Sequence, residues 1–168
     1  MTLDQLNTLP TTAAEDEFLK CCGSKRWANA MSDARPFETL DEVLTEADRA
    51  WWSLNEADWL EAFRAHPKIG EKKAAATQSA EAQKWSAQEQ SSVAQASAET
   101  IIELAERNRE YEDRFGFIFI VCASGKSSEE MLAIVNDRIR NDTETELRTA
   151  AAEQSKITRL RLEKLLNQ

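Results

Sequence analysis

The chain has 168 residues, of which 42% are hydrophobic and 30% charged, with only four glycines and three prolines. This length is ample for one sizeable core, and the composition excludes disordered, collagenous and low-complexity chains. Thirty acidic residues against 21 basic ones leave a net charge of −9, which argues against nucleic acid or an anionic membrane surface as a partner.

Abundant Ala, Glu, Leu, Arg and Gln predict helices. Thr2 caps a short turn through Leu6, and Thr12 caps a helix carrying Phe18 and Leu19 that stops at Gly23. Ser24 opens a segment with Trp27, Ala30 and Met31 at helical spacing, broken by Pro36. From about Thr39 the pattern Leu40, Val43, Leu44, Ala47, Trp51 predicts another amphipathic helix. A further helix from about Asn55 to Ala65 buries Trp59, Leu60 and Phe63 and ends at Pro67. Lys68 to Lys84, rich in Ala, Gln and Lys with a glycine at position 70, is read as a loop or weak helix. Ser86-Ala87-Gln88-Glu89 has the spacing of a capping box and is expected to open a long helix with Val93, Ala96, Ile101, Leu104, Asn108 and Tyr111 on one side.

The run from Phe115 to Ala123 is continuously apolar and partly β-branched, and it predicts one buried extended segment without a sheet partner. Two more capping boxes, Ser127 to Glu130 and Thr143 to Glu146, open the last helices. The expected architecture is all-α: a single-domain compact bundle spanning 1–168, with about seven to nine helices and one short extended apolar segment near 117–123.

Cys21, Cys22 and Cys122 form no CxxC pair and no disulfide framework, which fits a reducing cytoplasm. The acidic N-terminus lacks a secretory pattern, the final Leu166-Asn167-Gln168 is not a peroxisomal address, and no apolar run is long enough to span a bilayer. The expected location is cytoplasmic.

Several familiar sites are absent from the sequence. Gly125-Lys126-Ser127 resembles the tail of a phosphate loop, but Ile120 stands where its first glycine belongs, and there is neither a GxGxxG nor a GxSxG motif. With one histidine and dispersed cysteines no metal site is expected. That histidine, His66, ends an apolar helix. It has an ordinary reading, interaction with the helix dipole, and a functional one, a general acid or base mounted on a rigid helix end beside a proline. Ser86, Glu89 and Gln90 likewise divide between a cap and a polar site for an anion or a urea-like group. In the third set, Phe119–Ala123, core packing competes with a backbone whose N–H and C=O groups need partners that a planar, amide-rich ligand can supply.

Together these stretches resemble one family. His66-Pro67 with Gly70, Ser86-x-x-Glu89-Gln90, Asn108-x-x-Tyr111-x-x-x-Phe115-Gly116-Phe117-x-Phe119, Ala34-Arg35-Pro36-Phe37 and the EQSKITRLR stretch from Glu153 to Arg161 are similar to the 2-oxo-4-hydroxy-4-carboxy-5-ureidoimidazoline (OHCU) decarboxylases of urate breakdown. Lys68-Ile69 departs from the Asp-Leu that some members carry there. The resemblance implies an all-helical fold, a homodimer, no cofactor and no metal, and decarboxylation of a small ureidoimidazoline to (S)-allantoin. It also implies a proton-donating histidine at His66, a catalytic role for Glu89, and substrate contacts at Pro67, at Ser86, Ala87, Gln88, Glu89 and Gln90, and at Phe119, Ile120, Val121, Cys122 and Ala123. Two other readings remain at this point. One is a non-enzymatic helical module that uses Trp51, Trp52, Trp59 and Trp85 as a partner patch; the other is an enzyme acting on allantoin or ureidoglycolate.

Overall fold

The computed structural model describes residues 1–69, 79–91 and 96–167. Nine α-helices lie among them: α1 (Leu3–Thr8), α2 (Thr11–Cys21), α3 (Lys25–Asp33), α4 (Leu40–Trp52), α5 (Glu56–Arg64), α6 (Ala80–Glu89), α7 (Ala98–Phe115), α8 (Ser128–Arg138) and α9 (Thr143–Leu166). No β-strand occurs among the described residues, so the fold is all-α. None of the described helices is long and apolar enough to cross a membrane. The chain forms two compact units, Met1–Ala62 with Ser155–Gln168, and Phe63–Gln154, with the boundaries falling inside α5 and α9.

In the first unit α2 packs on α3 and α3 on α4. Phe18, Trp27, Met31 and Trp51 are fully buried, each contributing roughly 1.5–3 kcal/mol by leaving water. The buried indoles also find acceptors: Trp27 Nε1 donates to Ala47 O at 3.0 Å and Trp59 Nε1 to Trp51 O at 3.1 Å. The Arg-Pro-Phe element is structural. Arg35 Nη1 donates to Leu6 O and Leu9 O at 2.7 and 2.9 Å, tying down the end of α1, where Leu6 O also accepts from Leu9 N. Asn7 exchanges two hydrogen bonds with the Phe37 backbone, at 2.8 and 2.9 Å.

In the second unit α7 packs on α8. Gly116 ends α7 at φ 78°, a left-handed conformation that favours glycine, and turns the chain into the aromatic run. Tyr111 meets Phe115, Phe117 and Phe119 at ring distances of 4.7, 5.9 and 5.3 Å. Beneath them Arg138 Nε donates to Glu146 Oε1 at 2.8 Å, Tyr111 also donates to Glu146 Oε1, and Asn141 Nδ2 donates to Glu146 Oε2 at 2.9 Å. Burial pushes the Tyr111 phenol far above its ordinary value, so it acts here as a donor.

Capping follows the expected pattern at Thr2, Ser24, Thr39 and Ser127, with full boxes at Thr2–Gln5 and Ser127–Glu130. Elsewhere the sequence-based expectations need correction. Pro10 rather than Thr12 precedes α2, and no side chain caps that helix. The α6 cap is Ser79, whose Oγ accepts from Ala82 N at 3.2 Å, so Ser86 and Glu89 lie in the last turns of α6 and open nothing. The Ala, Gln and Lys residues of the stretch read as a loop or weak helix are strong helix formers; its residues from Ala80 on are helical, and burial of Ala82 and Trp85 on one face lets the helix start a full two turns before Ser86. The next helix begins separately at Ser97. Asp142 rather than Thr143 caps α9, accepting from Thr145 N at 2.8 Å, and this frees Glu146 for the buried arginine. The turn expected at Gly70 and the helical position of Val93 lie outside the described residues.

Candidate functional site

His66 follows the last turn of α5, where its N–H donates to Phe63 O at 3.1 Å, and Pro67 prevents the helix from continuing. Its Nε2 lies 2.7 Å from Oε1 of Gln154 on α9, a side chain with 0% exposure. The imidazole therefore has a specific side-chain partner beyond any helix dipole. Two contacts tether the residues after Pro67: Asn108 Nδ2 donates to Ile69 O at 3.0 Å, and Lys68 Nζ pairs with Glu112 at 2.6 Å.

Phe119–Ala123 are all buried and belong to neither helix nor strand, so their polar backbone must be satisfied by other means. Side chains supply the partners. Arg138 Nη1 donates to Ile120 O at 2.7 Å, Lys126 Nζ to Cys122 O at 2.8 Å, and Cys122 N–H donates to Glu153 Oε2 at 2.7 Å. The partners fall on alternate residues, as in an extended chain whose successive peptide groups point to opposite sides. The expectation of an unpaired extended segment near 117–123 thus holds, with charged side chains standing in for a neighbouring strand.

Glu153 and Gln154 are consecutive, so one point on α9 holds both the imidazole and the Cys122 peptide. Glu89 belongs to the same neighbourhood. Burial raises the Cys122 thiol pKa; Lys126 opposes that shift, while the carboxylates of Glu153 and Glu89 add to it. A cleft of about 460 Å³ opens here, lined by Gln88, Glu89 and Ser91 on one side and Ala123 to Ser127 on the other. Ser86 is buried, Glu89, Gln90, His66 and Pro67 are half-buried, and Gln88 is exposed at the cleft. Of the expected site residues Gln88, Glu89 and Ala123 line the cleft, whereas His66, Pro67, Ser86, exposed Ala87, Gln90 and Phe119–Cys122 are not part of its wall. The Gly125-Lys126-Ser127 stretch serves the fold, through the Lys126 contact and the Ser127 cap.

Of the four tryptophans considered as a partner patch, Trp51, Trp59 and Trp85 are buried. Trp52 is 46% exposed and leans edge-on against Trp59 at 5.7 Å. A single indole is not a patch.

Comparison with known proteins shows the family. Residues 7–163 match the family model of OHCU decarboxylase. The chain is 32% identical over 163 residues to a 2-oxo-4-hydroxy-4-carboxy-5-ureidoimidazoline decarboxylase of Haloferax volcanii, covering 96% of this chain and 94% of that protein. The chain belongs to the OHCU decarboxylase family. It is also 42% identical over 153 residues to the uric acid degradation bifunctional protein TTL of Arabidopsis thaliana, covering 91% of this chain and 47% of that protein, so it spans about half of that relative's length. A crystal structure of OHCU decarboxylase in the presence of (S)-allantoin superposes with a TM-score of 0.79 at 42% identity, covering 91% of this chain and 99% of the other.

Within this OHCU decarboxylase fold, Glu153 and Gln154 contact candidate site residues, and motif reading passed over them. The stretch containing them carried part of the resemblance but received no role. A signal was present in the periodicity: Leu147, Ala150, Ala151, Gln154, Ile157, Thr158 and Arg161 are among the buried residues of α9 and recur at spacings of three and four, so Gln154 is a polar side chain on an inward stripe.

Proposed function

We propose that this chain catalyses the cofactor-independent decarboxylation of OHCU to (S)-allantoin in urate degradation, as a carbon–carbon lyase. The observation that carries this reading is the joint anchoring of His66 and the Cys122 peptide by Gln154 and Glu153, beside a cleft that contains Glu89. Loss of CO2 from the ring carbon that bears the hydroxyl leaves an electron pair, which the adjacent ring C=N accepts, so the substrate is its own electron sink. Protonation of the ureido-bearing carbon on one face then sets the S configuration.

His66 faces the hydroxyl, orients it by hydrogen bonding and exchanges its proton as the enol becomes a carbonyl. Glu89 and Gln90 hold the ureido and ring N–H groups, with Ser86, Ala87 and Gln88 as further substrate contacts of the same turns and Pro67 bordering the imidazole. Along Phe119–Ala123, Arg138, Lys126 and Glu153 occupy the Ile120 and Cys122 peptide groups. By the alternation of an extended chain, the peptide groups of Phe119 and Val121 and the Ala123 N–H meet the ring amides of the substrate, whereas Ala123 O accepts from Lys126 N at 3.0 Å. The family match crosses both compact units, supporting one functional domain over 1–168. Assembly as a homodimer rests on the family resemblance. Cytoplasmic residence rests on three cysteines that are buried and unbridged.

The test is His66→Asn, followed with freshly generated OHCU by both the rate and the optical activity of the allantoin formed. Loss of an acid–base group predicts a fall of roughly 10²–10⁴-fold in kcat, down to the spontaneous decay, with racemic product. An unchanged rate of S-allantoin formation in the variant would remove His66 from the mechanism.

A further inference from the structure

The bond between His66 and Gln154 carries more than a packing role. Gln154 is fully buried, where an amide is costly unless its polar atoms are paired, and its Oε1 is aimed at Nε2 of the imidazole at 2.7 Å. A carbonyl oxygen only accepts, so the ring nitrogen facing it must carry the proton. A neutral imidazole in this contact is therefore the Nε2–H tautomer, with its lone pair on Nδ1. Gln154 orients the ring through this bond. Because Glu153 grips the Cys122 N–H at 2.7 Å from the adjacent helical position, any shift of this turn of α9 moves the imidazole and the substrate-facing backbone together.

We propose that Gln154 is the positioning residue of His66, selecting the Nε2-protonated tautomer and fixing the ring in register with Phe119–Ala123. This rests on the reading of His66 as the group that exchanges a proton with the substrate.

The sequence provides an unusually clean test, because His66 is its one histidine. Nitrogen-15 NMR of protein labelled at histidine reports the tautomer of that ring alone. In the wild type, above the imidazole titration, the Nε2–H form dominates. Gln154→Met keeps the side-chain length but removes the acceptor; it mixes the tautomers and lowers kcat by about 100-fold, the usual order for a misplaced catalytic group, while KM stays within about twofold. Gln154→Glu retains an acceptor oxygen, restores the Nε2–H form and recovers about tenfold or more of the lost turnover.

A wild-type ring that is mainly Nδ1-protonated overturns the proposal. So does a folded Gln154→Met variant, by circular dichroism, whose tautomer ratio or turnover matches the wild type. If Gln154→Met fails to fold, the wild-type and Gln154→Glu spectra still decide the matter. If the wild type makes no S-allantoin from OHCU, the proposed reaction fails, while the NMR result stands or falls independently.

Discussion

Glu153 differs from the other acidic residues of this chain in that its carboxylate accepts a backbone N–H from an unpaired apolar segment, Cys122 N at 2.7 Å. Removing that acceptor leaves a buried donor without a partner. Glu153→Ala is expected to cost about 1–3 kcal/mol in urea unfolding and to depress turnover, because the Phe119–Ala123 segment proposed to meet the substrate loses an anchor. Glu153→Gln keeps an acceptor and retains most of both. Equal losses in the two variants would show that the negative charge matters rather than the hydrogen bond. His66 was legible as a candidate because proline and glycine flank it and no second imidazole competes with it. Gln154 was not, because its partner lies 88 residues away and local sequence carries no information on that pairing.

At the level of elements, capping motifs located helix starts only where no better start lay upstream. Ser127-x-x-Glu130 forms its box as expected, whereas Ser86-x-x-Glu89 has the same spacing and caps nothing. The physical difference is that Ser79 and the helix formers behind it place the Ser86 region within an existing helix, where backbone amides already have partners. Ser79→Ala is therefore expected to lower stability by about 1 kcal/mol through loss of the α6 cap, measured by thermal or urea unfolding. At Ser86 the same substitution removes no cap. Thr143-x-x-Glu146 fails for a related reason: Asp142 is one residue closer to the turn and takes the cap, and Glu146 turns inward to Arg138.

Across the Phe63–Gln154 unit, the Glu146 carboxylate gathers Tyr111 of α7, Arg138 of α8 and Asn141 around itself, while Arg138 reaches on to Ile120 O. Glu146 has 0% exposure, so replacing it with glutamine leaves the Arg138 guanidinium buried without a counter-charge. A loss of about 3–5 kcal/mol is expected for Glu146→Gln, read from the urea midpoint at unchanged slope. An Arg138→Met/Glu146→Leu double variant should recover part of that loss, since no lone charge remains buried. This network and the Glu153–Gln154 pair share a property: each joins residues tens of positions apart through polar atoms that burial obliges to pair. The sequence by itself determined the helical class, the unpaired apolar segment and the family, because composition, periodicity and contiguous motifs are local. Only the tertiary structure decided where α6 and α9 begin, which partners satisfy the Phe119–Ala123 backbone and what holds His66. Those outcomes depend on competition among distant groups for burial and hydrogen bonds, which no local pattern records.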